Sequence, residues 1–412
     1  MESVNKEVGV RGVFSSEGAS WKRQRKLTAP AFTNHKVKGH YDFISTSCER
    51  LRNKWTTLIQ KQTKPEEGIV IDVLSEMMSF TLDIISLIAF GYDLNSIEKH
   101  SEEAECLLSV MPFIFKRATA VFPYWKLFHT ATDKAYYKSV PKLETLVKGI
   151  IEKHQNDSTD ESSKKNFIEV ILQARQDGED HLTDDEIIGN VITFLLAGQD
   201  TTANTLAWSL YYLSRNHQIQ TLVFEEVSNA IIDPSKSKND WYLPDRNQVD
   251  SLNFTQNVVK EVLRIRPPTP VLGLSPVDSP QVIQVSDRKT VVNVNDTVVL
   301  LNRKVATKKY GMNFDLHRWE TMDENEQELL KMIANVPFGG GPRICPGKHL
   351  SLYESTLFLS MMANNFIVRP AESTTSEEDE SLAFTESPGV KERMEMTMGP
   401  ENLHLRIFLR NN

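Results

Sequence analysis

Helical periodicity dominates the chain. Thr183 and Glu186 have the spacing of a capping box, and after them Ile187, Ile188, Val191, Ile192, Leu195 and Leu196 recur at helical intervals. The pattern continues through "TTANTLAWSLYYLSRN" and predicts one helix of roughly 30 residues, about 45 Å long at 1.5 Å per residue. Few soluble folds need so long a central helix. "MMSFTLDIISLIAFG", Met77 to Gly91, is apolar on nearly all sides and stops at glycine, as a buried helix does. "SLNFTQNVVKEVLRIRPPTP" is an amphipathic helix stopped by Pro267 and Pro268. "HLSLYESTLFLSMMANNF" predicts a further helix. Elsewhere the texture changes. "QVIQV" and "KTVVNVNDTVVLL" are valine-rich and divided by "SDR" and "ND", which predicts short strands. "ERMEMTMGPENLHLRIFLR" predicts a last hairpin. "HQNDSTDESSKKN", His154 to Asn166, and "ESTTSEEDES", Glu372 to Ser381, read as solvated loops. The sum is mainly α with a minor β portion. No clean linker divides it, so one domain is expected over 1–412.

Composition narrows the classes. The 412 residues are 40% hydrophobic and 25% charged, enough for a large core. Lys plus Arg is 47 against 55 Asp plus Glu, a formal net charge of −8. That balance argues against a nucleic-acid binder, whose surface must be basic. One short basic run, "KRQRK" at Lys22 to Lys26, stands out. Three widely spaced cysteines, Cys48, Cys106 and Cys345, form neither a disulfide framework nor a zinc pattern. No run of 18 or more apolar residues predicts a membrane span.

Cys345 lies in "VPFGGGPRICPGKHL", a loop that can bury little apolar surface. Gly339, Gly340 and Gly341 permit backbone angles other residues avoid, and close approach to a flat ligand. Pro346 suits the first turn of a helix. Cys345 is thus expected where a loop meets a helix N-terminus, whose N–H groups favour a thiolate, with Arg343 adding a cation. Three readings follow: a buried structural thiol, a Cys-His nucleophile with His349 as base, or a thiolate ligand to haem iron, donating electron density that favours O–O cleavage.

Phe338, Gly341, Arg343, Cys345 and Gly347 fit F-x-x-G-x-R-x-C-x-G in full. This resembles the haem-binding signature of the cytochrome P-450 family. The resemblance implies haem b with Cys345 as axial iron ligand, Phe338 near the sulfur and Arg343 at a haem propionate. It also implies the P-450 fold, with the long central helix over the haem.

Further motifs follow in the expected order. "AGQDTT", Ala197 to Thr202, lies inside the long helix and resembles the family's oxygen-activation motif. Gly198 removes a side chain where the helix would pass over a ligand. The Thr201 hydroxyl can bond the carbonyl of Ala197 and locally loosen the helix. Asp200 and Thr201 side by side can hold water and relay protons. "KEVLR" places Glu261 and Arg264 on one helix face. An E-x-x-R pair alone is usually a surface pair, but its order before Cys345 resembles the family's structural motif, with Arg318 of "FDLHRWE" as third member. A proline is usual in the family where Leu316 stands. "GASWKRQRKLTAPAF" places Trp21 and Arg25 at i, i+4, like the family's W-x-x-x-R, which faces a haem propionate. The basic run otherwise reads as a solvated face or a nuclear-localisation patch.

Two features depart from the family. The propionate-binding arginine common after "RPPTP" is absent from "VLGLSPVDSP". Only 20 residues precede Trp21, where eukaryotic members usually carry a longer segment with the membrane anchor, most of the first β-sheet and a substrate-contacting loop. The expectation is an N-terminally truncated chain. The resemblance implies a haem-thiolate monooxygenase that inserts one oxygen atom of O2 into a small apolar organic substrate. Its electrons would come from a separate NADPH-dependent reductase, at the cytosolic face of the endoplasmic reticulum membrane. The rival readings are a haem-thiolate isomerase or dehydratase, and a non-catalytic or folding-defective remnant. Residues around Phe113 to Phe128 and Leu272 to Ser275 are candidate pocket lining.

Overall fold

The computed structural model describes residues 12–99, 102–118, 120, 122–156, 166–169, 171, 181–231, 243–274, 279–285, 288–293, 298–321, 323–373, 390–394 and 397–410. In chain order the helices are α1 (Gly18–Thr28), α2 (Asn34–Gly39), α3 (Tyr41–Gln60), α4 (Val73–Phe90), α5 (Glu102–Leu108), α6 (Val110–Ala118), α7 (Ala131–Asn156), α8 (Asp184–Ser214), α9 (His217–Ala230), α10 (Asn253–Ile265), α11 (Asn302–Thr307), α12 (Glu324–Asn335) and α13 (Lys348–Asn365). The strands are β1 (Ile69–Asp72), β2 (Val271–Leu274), β3 (Gln281–Val285), β4 (Arg288–Val292), β5 (Val298–Leu301), β6 (Phe366–Pro370), β7 (Lys391–Met394), β8 (Met398–Glu401) and β9 (His404–Leu409). The polar stretch at His154 begins inside α7, and residues 157–165 lie outside the described residues, as do 374–381 of the acidic loop.

The central helix forms as its pattern predicts. α8 has 31 residues and starts at a complete capping box: the Glu186 N–H donates to Thr183 Oγ1 at 3.2 Å, and the Thr183 N–H to Glu186 Oε2 at 3.0 Å. Arg23 of α1 pairs with the same Glu186. Gln24 is buried, its side-chain oxygen accepting from Asn190 Nδ2 at 2.8 Å. The basic run is therefore one face of a packed helix, with Lys22 and Lys26 left exposed.

α4 lies along α8. It ends where Gly91 takes a left-handed conformation (φ 62°) that a side chain would strain, and the Gly91 N–H donates to the Leu87 carbonyl. At 18 residues α4 is long and apolar enough to cross a membrane, which the sequence reading did not anticipate. Two thirds of it is buried inside the protein, as befits a core helix. Gly198 is where α8 and α4 touch. A Cβ there would stand 2.8 Å from Ile85 Cγ1 and 2.9 Å from its Cδ1. The missing side chain makes room for the neighbouring helix, a correction to the expectation that it clears space for a ligand. Ile85 is itself buried, so Gly198→Ala should destabilise by about 1–3 kcal/mol through overpacking. A lower urea midpoint would be the readout, and an unchanged one would contradict the packing.

The β portion is minor. β9 lies between β1 and β6 in an antiparallel three-stranded sheet; β2 pairs with β5, β3 with β4 and β7 with β8. The predicted last hairpin is β7–β8, while β9 leaves it for the larger sheet. Along that sheet, β9 sends Leu405 and Ile407 into the core.

Candidate active site around Cys345

The cysteine loop is built from backbone first. Gly339 and Gly341 have φ of 75° and 62°, left-handed values that glycine takes without strain. These two turns fold the loop back, and the Cys345 N–H donates to the Phe338 carbonyl at 2.8 Å. Beyond the loop, no atom lies within 4 Å of a Cβ built on Gly340 or Gly341, and only Leu272 Cδ1, at 3.8 Å, approaches one on Gly339. The loop therefore borders open space. α13 begins at Lys348, three residues after the cysteine.

Cys48 and Cys106 are buried, whereas Cys345 is exposed. That removes the structural-thiol reading for Cys345. Its side chain opens on a cavity of about 280 Å³, lined also by Arg25, Phe32, Thr33, Lys348 and His349. The sulfur is reachable through this opening yet sits deep among protein atoms. Burial pushes its pKa up, opposed by the Gly347 N–H, the Arg25 charge and the N–H and charge of Lys348. Both expected N–H donors are present, but the net direction is upward, because desolvation outweighs them. The cations that act on the sulfur are Arg25 and Lys348, not Arg343, which was expected from sequence proximity.

Arg25 and Arg343 stitch α1 to the loop. Arg25 donates to the Ile344 carbonyl at 2.8 Å, beside the cysteine. Arg343 donates to the Ser16 carbonyl at 2.9 Å and lies 4.3 Å over the Trp21 ring. Trp21, Arg25, Arg343 and Cys345 thus converge, although more than 300 residues separate the two segments.

α8 contributes the second part. Between Glu186 and Ser214 every residue is buried except Ala197, Gly198, Asp200 and Thr201. The helix opens at the motif and nowhere else in that span. The Thr201 hydroxyl donates to the Ala197 carbonyl at 2.7 Å, as expected, but α8 stays helical throughout. The Thr81 hydroxyl of α4 donates to the Gln199 carbonyl at 3.0 Å. The Thr202 hydroxyl donates to Ser351 Oγ of α13 at 3.3 Å, joining the motif to the helix that follows Cys345.

The third part is a buried charge cluster. Arg264 grips Glu261 with two bonds of 2.8 Å, both side chains fully buried. Arg318 Nε adds a bond of 3.1 Å to Glu261 Oε1, and Trp319 Nε1 one of 3.0 Å to Oε2. Arg264 also donates to the carbonyls of Gly311 and Asn313. The pair is therefore no surface contact. Leu316 takes helical angles there, and the segment closes without a proline. Sequence reasoning missed Trp319, although it stands beside Arg318 in the same short stretch.

The Cytochrome P450 family model matches residues 2–391. The chain belongs to the cytochrome P450 family. Among its P450 relatives, human Cytochrome P450 4F8 is 26% identical over 375 residues, covering 87% of this chain and 69% of that one. Cytochrome P450 4F5 of Rattus norvegicus is 26% identical over 402 residues, 93% of this chain and 73% of its own. The crystal structure of the cytochrome P450 CYP102L1 superposes with a TM-score of 0.81 at 21% identity, covering 99% of this chain and 86% of the other. The mainly α architecture is thus the P450 fold. Membership makes the chain a haem-thiolate monooxygenase in general class, and it decides against the Cys-His nucleophile. The residues present suit a haem: an accessible thiol with N–H donors behind it, open space over a glycine loop, and the cations Arg25 and Arg343 beside it.

Proposed function

We propose that this chain holds haem b through the Cys345 thiolate and inserts one oxygen atom of O2 into a small apolar organic substrate. Electrons would come from a separate NADPH-dependent reductase, at the cytosolic face of the endoplasmic reticulum membrane. The observation that carries the reading is the single opening in α8 at Ala197, Gly198, Asp200 and Thr201, tied through Thr202 and Ser351 to the helix behind Cys345.

Bound haem supplies O2 activation and oxidising power; the protein supplies the ligand, the protons and the pocket. Cys345 gives the sulfur ligand, with the N–H groups of Gly347 and Lys348 facing it. Phe338, Gly341 and Gly347 shape its loop. Arg25 and Arg343, with Trp21 beneath Arg343, stand where two carboxylates of a ligand could be neutralised. Asp200 and Thr201 hold a proton at the carboxylate and hydroxyl oxygens beside the open turn. Glu261, Arg264 and Arg318 keep α10 and the loop before α12 in register and take no part in the chemistry.

A positioned proton donor contributes about 10²–10⁴-fold to a rate. In the holoenzyme reconstituted with a P450 reductase, Thr201→Ala should therefore divert most of the NADPH electrons to released hydrogen peroxide. Peroxide yield per NADPH unchanged from wild type would remove Thr201 from proton delivery.

A further inference from the structure

Asp200 is held by a residue 197 positions away. The Thr397 hydroxyl, just before β8, donates to Asp200 Oδ2. Asn204 Nδ2, one helical turn along α8, is 3.2 Å from Asp200 Oδ1, 2.8 Å from the Asp200 carbonyl and 3.1 Å from Thr397 Oγ1. The three side chains close a triangle. A threonine hydroxyl has one hydrogen to give; here it goes to Asp200, while Asn204 fills a lone pair on the same oxygen. Asn204 and Thr397 are both buried, whereas Asp200 remains part-exposed in the open turn of α8. One end of the network is therefore fixed inside the protein and the other lies in the open turn of α8.

The hairpin that delivers Thr397 is itself anchored. Glu392 of β7 pairs with both Arg266 and Arg303. The Met398 N–H donates to the Pro268 carbonyl at 2.7 Å. Gly399 packs so closely on α8 that a Cβ there would collide with Asn204 Oδ1. These contacts set the hairpin at a fixed depth against α8, the depth at which Thr397 reaches the carboxylate.

We infer that Thr397, supported by Asn204, is a positioning residue for the proton-handling carboxylate of Asp200. The inference rests on the proposed role of Asp200 and Thr201. Thr397→Val keeps the shape and removes the donor; Thr397→Ser keeps the donor. The test uses the wild-type holoenzyme with these two variants and Asp200→Asn, and records the ferrous carbon monoxide complex in the visible and the infrared. All four should keep the thiolate-type Soret band. The C–O stretch, which reads the polar groups around the bound gas, should shift in Thr397→Val as it does in Asp200→Asn, and stay at the wild-type position in Thr397→Ser. With reductase and NADPH, Thr397→Val should release more peroxide, and the double variant no more than Asp200→Asn alone, because both remove one function. A wild-type C–O stretch in Thr397→Val, beside a shifted one in Asp200→Asn, would overturn the positioning role. Additive peroxide release would do the same. Loss of the thiolate Soret band already in wild type would instead bring down the haem-thiolate reading, and the inference with it.

Discussion

Cys345→Ser should abolish the thiolate-type Soret band of the ferrous carbon monoxide complex and the whole of the oxygen-insertion activity. The fold should survive. The side chain lies at the surface of a cavity, so trading sulfur for oxygen leaves no hole in the core. What holds the loop is backbone and cation: the Cys345 N–H to Phe338, the turns at Gly339 and Gly341, and Arg25 on Ile344. All of these are independent of the sulfur. Far-UV circular dichroism should therefore match wild type while the haem spectrum changes. A thiolate band persisting in Cys345→Ser would assign the ligand to another residue. Among the described residues the other two cysteines are buried, so such a result would also contradict the fold around them.

Glu261→Gln should lower stability by about 3–5 kcal/mol, because removing one partner strands a buried charge. Arg264 is fully buried. Its remaining contacts are the carbonyls of Gly311 and Asn313, which cannot neutralise a guanidinium. Glu261 also accepts from Arg318, Trp319 and the Asp315 N–H, so the substitution loosens the chain from Gly311 to Trp319 as well. Urea unfolding of the holoprotein followed by circular dichroism measures the loss. A midpoint within error of wild type would mean the cluster is not a structural keystone. The double variant Glu261→Leu/Arg264→Met should be less destabilised than Glu261→Gln, since it removes the fully buried guanidinium together with its partner and leaves Arg318 with Asp315 at 3.6 Å.

What was legible in the sequence follows the range of the interactions. The long helix, its capping box and the Thr201–Ala197 bond depend on residues within four positions of one another, and they form as the pattern predicts. The cysteine loop was legible through residue types at fixed spacing, and the family match agrees with it. Contacts between distant segments were not. Proximity in sequence pointed to Arg343 as the cation near the sulfur, but it is the charge of the distant Arg25 that acts on it, while Arg343 lies over Trp21. Gly198 looked like clearance for a ligand, and only the packing of α4 shows that Ile85 needs the space. The four residues of the E-x-x-R pair do not by themselves signal burial; only the resemblance implied a structural role with Arg318, and the burial comes from the Gly311–Trp319 segment folding over the pair. Thr397 had no signal at all, since nothing in "EMTMGPEN" marks a hydroxyl that will meet α8.

The burial pattern of α8 bears on how such an enzyme can change its preferences. Of the 29 positions from Glu186 to Ser214, four are not buried, and two of those four, Asp200 and Thr201, are the ones proposed to handle protons. Gly198 is committed to Ile85. That leaves Ala197 as the one non-buried position of the span with neither a packing duty nor a proposed chemical one. On the proposed reading, what this helix could offer a substrate without repacking the interior is little more than a single methyl group. New selectivity has to be written elsewhere, in segments that can change without repacking the centre.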